Sequence, residues 1–215
     1  MASTRTLPAL GHGLRRPLAV LAAVGAVLLA VPAVAFGGDT GPSRLDRSVQ
    51  RLVDKSPDGM WNVAHALDWL GEPVGRAVLT IALAAVCLLA GRRLLAIAAV
   101  AAMVAATLLS TVLKYVVDRR IHDGFLSYPS GHAAAATVAA TIIGLLLADL
   151  LRTSGVRGTA LVLALSVLGG GLMAWTQTLL GAHYPTDTLG GYGCGVLVTA
   201  VAVLLVPRGR ACINT

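Results

Sequence analysis

Three features of the 215-residue chain predict an all-α, polytopic membrane bundle. Hydrophobic residues make up 56% and charged residues only 13%, against roughly 45–50% and 25% in soluble domains. The mean hydropathy is +0.79. The apolar residues are also gathered into six runs, each bounded by charge, glycine or proline. A soluble enzyme of this size could not hide so much apolar surface, and a disordered chain would not carry it. A single membrane-embedded domain over 1–215 is expected, with short tails at 1–17 and 207–215. Aromatic residues are 4%, too few for the stacking platforms that hold single strands. No nucleic-acid partner is expected, and the net charge of +7 needs another explanation.

The runs are Leu18–Phe36, Val74–Ala90, Leu94–Val117, Ala133–Leu151, Thr159–Trp175 and Thr188–Val206. About 20 apolar residues in a helix cross a bilayer core, with a range of about 17–25. Inside lipid the backbone must satisfy its own hydrogen bonds, and the runs lack the alternation of barrel strands, so all six are read as helices. The first run follows Arg5, Arg15 and Arg16 and ends near Ala33-Val34-Ala35, which mimics a signal-peptidase site. It exceeds the about 7–15 apolar residues of a signal peptide, so a retained helix is expected.

Between the first two runs lies the one long loop, Gly37–Pro73. Within it Leu45, Val49, Leu52 and Val53 recur at helical spacing among charged residues. That pattern predicts an amphipathic helix on the outer membrane surface, as a plain interfacial helix or a substrate gate. Trp61 and Trp69 suit the interfacial aromatic belt. Gly169-Gly170-Gly171 and Gly190, Gly191, Gly193 and Gly195 predict close packing of the fifth and sixth helices. Cys87, Cys194 and Cys212 have no metal-ligand spacing and read as small apolar residues.

Charge placement orients the bundle. Arg5, Arg15, Arg16, Arg92, Arg93, Arg152, Arg157, Arg208 and Arg210 fall on one side, with Asp149 as the only acid. The opposite side carries the other eight basic residues and nine acids. Lys and Arg favour cytoplasmic loops, so both termini are expected inside the cell. The excess charge then mostly reports topology.

Polar residues gather at the outer ends of the apolar runs. Lys114 lies inside the third run, where a lysine at the helix centre would cost about 2.5–3.5 kcal/mol. Near the end it can reach the interface, as an anchor or as an anion ligand. Arg119 and Arg120 follow, against the usual charge rule for that side. Tyr128-Pro129-Ser130-Gly131-His132 precedes the fourth run. Ser130 suits an N-cap, Gly131 permits close approach of a ligand to the backbone, and His132 falls in the first turn, where free N–H groups attract anions. Before the sixth run stand His183 and Asp187, four residues apart and flanking Pro185. Asp187 can accept a hydrogen bond from one imidazole nitrogen and leave the other free as base or nucleophile, or can serve only as a helix N-terminal acid. Two histidines, a carboxylate, a helix N-terminus and several cations form an inventory for phosphoryl transfer. No acidic cluster of the outer side resembles a metal cage, so no metal or other cofactor is expected.

These residues resemble the type 2 phosphatidic acid phosphatase (PAP2) family of membrane lipid phosphatases. The family pattern is Lys, six residues, then Arg-Pro; Pro-Ser-Gly-His; and Ser-Arg, five residues, His, three residues, Asp. Pro129-Ser130-Gly131-His132 matches the second part, His183 and Asp187 the end of the third, and Lys114 the start of the first. Two positions depart: Ile121-His122 stands for Arg-Pro, and Thr176-Gln177 for Ser-Arg. The resemblance implies that His183 is the nucleophile, oriented by Asp187, and that His132 is the general acid. It implies phosphate binding by Lys114, Arg119 or Arg120, Ser130 and the Gly131 N–H, with Gln177 an uncharged replacement. The implied substrate is a phosphorylated lipid at the outer face: a polyprenyl diphosphate such as undecaprenyl diphosphate first, then phosphatidate or phosphatidylglycerol phosphate. A lipid phosphotransferase on the same fold, or a lipid-binding protein with impaired catalysis, are the alternatives.

Overall fold

The computed structural model describes residues 12–122 and 124–206. The expected tails therefore lie largely outside the described residues, as do Asp123 and Cys212. Among the described residues, eight helices and one small hairpin follow in order: α1 (His12–Phe36), α2 (Arg44–Val53), α3 (Met60–Trp69), α4 (Pro73–Leu89), α5 (Arg93–Val117), β1 (Arg120–Ile121), β2 (Phe125–Leu126), α6 (Gly131–Leu150), α7 (Gly155–Leu179) and α8 (Pro185–Leu205).

Five of these, α1 and α5 to α8, are long and apolar enough to cross a membrane, and α3 with α4 makes a sixth as a pair bent by 72°. The second expected run, Val74–Ala90, falls on α4 within one residue at each end, and the elbow lies just before it. Gly71-Glu72 separates α3 from α4, and Pro73 opens α4 at a position that needs no N–H donor. The protein is an integral membrane protein with an all-α bundle.

Helix α6 is the central element, packed on α5, α7 and α8, while α1 lies along α8. Small residues allow this. A Cβ on Gly25 of α1 would stand 2.8 Å from the Gly193 carbonyl of α8. The α8 glycines therefore serve α1 and α6 more than α7, contrary to the pairing expected of them. A Cβ on Gly195 would press on the Ala134 carbonyl and on Thr137 of α6, and Gly191 faces the Ser130 carbonyl.

Helix α2 forms where the apolar spacing predicts it, closed by a capping box between Ser43 and Asp46. It is more than a surface helix. Asp46 is buried, and its Oδ1 accepts hydrogen bonds from Thr186 N at 2.9 Å and Thr186 Oγ1 at 2.8 Å. Burial alone would raise the Asp46 pKa, but the hydrogen bonds from Thr186 and Ser43 outweigh it and hold the carboxyl below its ordinary range.

Candidate active site

The chemistry-bearing side chains collect at one end of the bundle, around the first turn of α6. Ser130 caps that helix by accepting from Ala133 N at 3.3 Å. Its own N–H donates to the Asp187 carbonyl at 3.0 Å, which ties the start of α6 to the first turn of α8. The leading N–H groups of α6 have no intrahelical acceptor, and a Cβ on Gly131 would stand 3.6 Å from Arg76 Nη2.

His183 is 7% exposed. Its Nδ1 lies 3.9 Å from Asp187 Oδ2 and has no hydrogen-bond partner among the described residues. The spacing of four brings the two groups together, but at ion-pair distance and not as a formed hydrogen bond. The reason is that Asp187 serves several donors. Its Oδ2 accepts from Tyr184 N at 3.1 Å, and its Oδ1 accepts from Arg119 Nη1 at 2.6 Å. It is thus a helix N-terminal acid and a neighbour of the imidazole at once.

His132 lies on the first turn of α6, as its position before the run predicts. Its Nε2 stands 3.3 Å from Asp68 Oδ1 and 3.8 Å from Glu72 Oε1. Asp68 also accepts from Gln177 Nε2 at 2.6 Å. Gln177 is fully buried, and its Oε1 has no partner among the described residues. Lys114 is half-buried and donates from Nζ to the Leu126 carbonyl at 3.0 Å. Asp68, His183, Arg76 and Lys114 all act electrostatically on His132, and Asp187 and Arg76 act on Lys114. The two histidines, Asp187, Lys114, Ser130, Gly131 and Gln177 are therefore brought into one neighbourhood.

Both arginines expected to bind phosphate are placed otherwise. Arg119 is sealed from solvent, with Nη1 donating to Thr186 Oγ1 and Asp187 Oδ1, both at 2.6 Å, and Nη2 to Asp46 Oδ2 at 2.8 Å. Its guanidinium stacks between the rings of Phe36 and Tyr184, each centroid 4.8 Å away. Three hydrogen bonds and two ring faces hold it away from solvent, and its buried Nε has no partner among the described residues. Arg120 is exposed and occupied by Asp118 and the Gly124 carbonyl.

The elbow between α3 and α4 supplies what sequence reading missed: Asp68, Gly71, Glu72 and Arg76. A Cβ on Gly71 would overlap the His132 imidazole, so the chain at the bend lies directly against that ring. The signal available for Arg76 was a charge three residues into an apolar run, which inside a membrane marks function by default. The elbow also corrects the expectation that the acids form no metal-like cluster. Asp68, Glu72 and His132 each offer a ligand atom within 4.8 Å of the others, an oxygen-nitrogen set able to take a divalent cation.

A crevice of about 660 Å³ reaches His183 past Arg44, Arg47 and Arg51 of α2. On the other flank of α2, Leu45, Val49 and Val53 border an apolar groove of about 510 Å³ against α7 and α8.

Comparison with known proteins agrees with this arrangement. A family model described as the PAP2 superfamily matches residues 93–211. The chain is 32% identical over 162 residues to decaprenylphosphoryl-5-phosphoribose phosphatase of Mycobacterium tuberculosis, in strains CDC 1551 / Oshkosh and ATCC 25618 / H37Rv, spanning 70% of this chain and 81% of that protein. The crystal structure of a transmembrane PAP2-type phosphatidylglycerolphosphate phosphatase from Bacillus subtilis superposes with a TM-score of 0.59 at 20% identity, over 86% of this chain and 93% of that one. With more than half of its length matched by the family model, the chain belongs to the PAP2 superfamily and is a membrane phosphatase of that family.

Proposed function

We propose that the protein hydrolyses a phosphorylated lipid through a phosphohistidine intermediate, without a metal ion. The placement of His132 and the His183–Asp187 pair around the N-terminus of α6 carries this reading. With Nδ1 of His183 facing Asp187, Nε2 is the free nucleophilic nitrogen. It attacks phosphorus, the P–O bond to the leaving group breaks, and His132 protonates the departing oxygen. Asp187 stabilises the imidazolium that forms. Water then attacks the phosphohistidine, with His132 taking its proton, and releases phosphate. Lys114, Ser130 and the Gly131 N–H steady the equatorial oxygens. Arg119 acts one step removed, by holding Asp187.

A polyprenyl-linked phosphate is the preferred substrate class. The M. tuberculosis relative is named for a decaprenylphosphoryl substrate. In this chain the arginine-lined crevice beside His183 and the apolar groove across α2 suit a polar head and a lipid tail. The charge distribution supports a reading with both termini in the cytoplasm and the site on the extracytoplasmic face. In a cysteine-free background, Phe125→Cys is then labelled by a membrane-impermeant maleimide in intact cells.

The deciding assay measures phosphate release by detergent-purified protein in EDTA. The panel is a polyprenyl diphosphate, decaprenylphosphoryl-5-phosphoribose, phosphatidate and phosphatidylglycerol phosphate. Release from the polyprenyl substrates that vanishes in His183→Ala is expected. Turnover retained in His183→Ala, or lost in EDTA and restored by a divalent cation, would sink the mechanism.

A further inference from the structure

Arg76 is a cation in the first turn of α4, within the bent membrane span. Its guanidinium is half-buried, and no carboxylate stands within ion-pair distance among the described residues. Nη2 donates to the Gly71 carbonyl at 2.5 Å and Nη1 to Thr107 Oγ1 at 3.3 Å, while the buried Nε has no partner among the described residues. Two neutral acceptors are a poor exchange for the water such a charge gives up.

The position of this underpaired charge is informative. A Cβ built on Gly131 would stand 3.6 Å from Arg76 Nη2, and equally far from Ser110 Oγ. The guanidinium therefore lies beside the first residue of α6, where the helix presents its free N–H groups. Lys114 and His132 feel its charge. Two cations and a helix N-terminus thus converge, with Glu72 and Asp68 of the elbow on one side and Asp187 near Lys114 on the other. Meanwhile Arg119 is consumed by two carboxylates, and Ile121 and Gln177 bring no charge.

We propose that Arg76 is a phosphate-binding residue of this site, reaching from α4 to the anion held at the start of α6. It supplies from the elbow the forked, charge-assisted contact that a dianion of tetrahedral oxygens takes from arginine. The proposal rests on the phosphatase reading for its location. Its ligand chemistry is the phosphate group, free or esterified.

The test measures inorganic phosphate binding by calorimetry on detergent-purified protein, comparing the unsubstituted chain, Arg76→Gln and His183→Ala. Loss of a charged contact weakens affinity by about 10- to 100-fold in Arg76→Gln, while His183→Ala still binds. In the unsubstituted protein, phosphate also slows the reaction of Arg76 with phenylglyoxal, followed by peptide mass spectrometry. That arm decides the matter if Arg76→Gln fails to fold. Unchanged affinity in a folded Arg76→Gln, no phosphate binding by the unsubstituted chain, or an Arg76 whose modification phosphate does not slow each overturns the proposal. The two readings fail separately. Arg76-dependent phosphate binding without turnover of any lipid removes the phosphatase mechanism and keeps this contact. His183-dependent turnover with unaltered phosphate binding in Arg76→Gln does the reverse.

Discussion

Arg119 donates to Asp187 at 2.6 Å across 68 positions of sequence, and neither side chain touches solvent. The same guanidinium binds Asp46 of α2, so one cation joins α2, the α5–α6 connection and α8. Removing it leaves two buried carboxylates uncompensated. Arg119→Gln is expected to lose about 3–5 kcal/mol of stability, the usual cost of orphaning a buried charge. Thermal unfolding in detergent reads this directly, and a melting temperature like that of the unsubstituted protein would contradict the role.

Asp187 stands beside His183 without bonding it in the resting site. If the carboxylate supports the imidazolium during reaction, Asp187→Asn lowers kcat by about 10³–10⁴-fold with a much smaller change in KM. Single-turnover kinetics on the best lipid substrate separate the two constants.

Gly71 touches the His132 ring so closely that no side chain fits between them. Its backbone is not left-handed, so replacement acts by displacing the imidazole and not by backbone strain. Gly71→Ala is expected to reduce kcat by about 100-fold, the cost of a misplacement near 1 Å, while the melting temperature changes little because the elbow lies at the end of the bundle. Equal activity would show that His132 can shift without consequence.

Acid should loosen α2 first. The Asp46 pKa is held below its ordinary value in the folded protein by hydrogen bonds from Thr186 and Ser43 that outweigh burial. Its contribution to stability is therefore complete above the unfolded carboxylate pKa, about 3.9, and is lost as pH falls through the lower folded value. Melting temperatures from pH 7 to pH 3 should fall more steeply at the acid end for the unsubstituted chain than for Asp46→Asn, which starts lower.

The sequence made local features readable. The third run, Leu94–Val117, differs from α5 by one residue, because apolar length in a membrane leaves the backbone only a helix. Ser130 as a cap and Pro185 as a helix opener were visible because both effects act within four residues. The fate of Arg119 was not, since its partner Asp46 lies 73 positions away on a helix whose docking no periodicity specifies. Asp68 and Arg76 were hidden for a related reason. They approach the first turn of α6 from the two sides of the 72° bend between α3 and α4, and a bend is a tertiary outcome. Gln177 read as a weakened phosphate ligand, and its contact with Asp68 spans 109 positions of sequence.

The elbow also divides the site along the chain. The two histidines, Asp187 and Lys114 all lie within residues 93–211, which the family model matches, whereas Asp68, Gly71, Glu72 and Arg76 lie before them. One wall of the His132 site is thus built by a stretch of chain outside the matched segment, so a fragment beginning at Arg93 would keep both histidines and lose the backbone that lies against one of them.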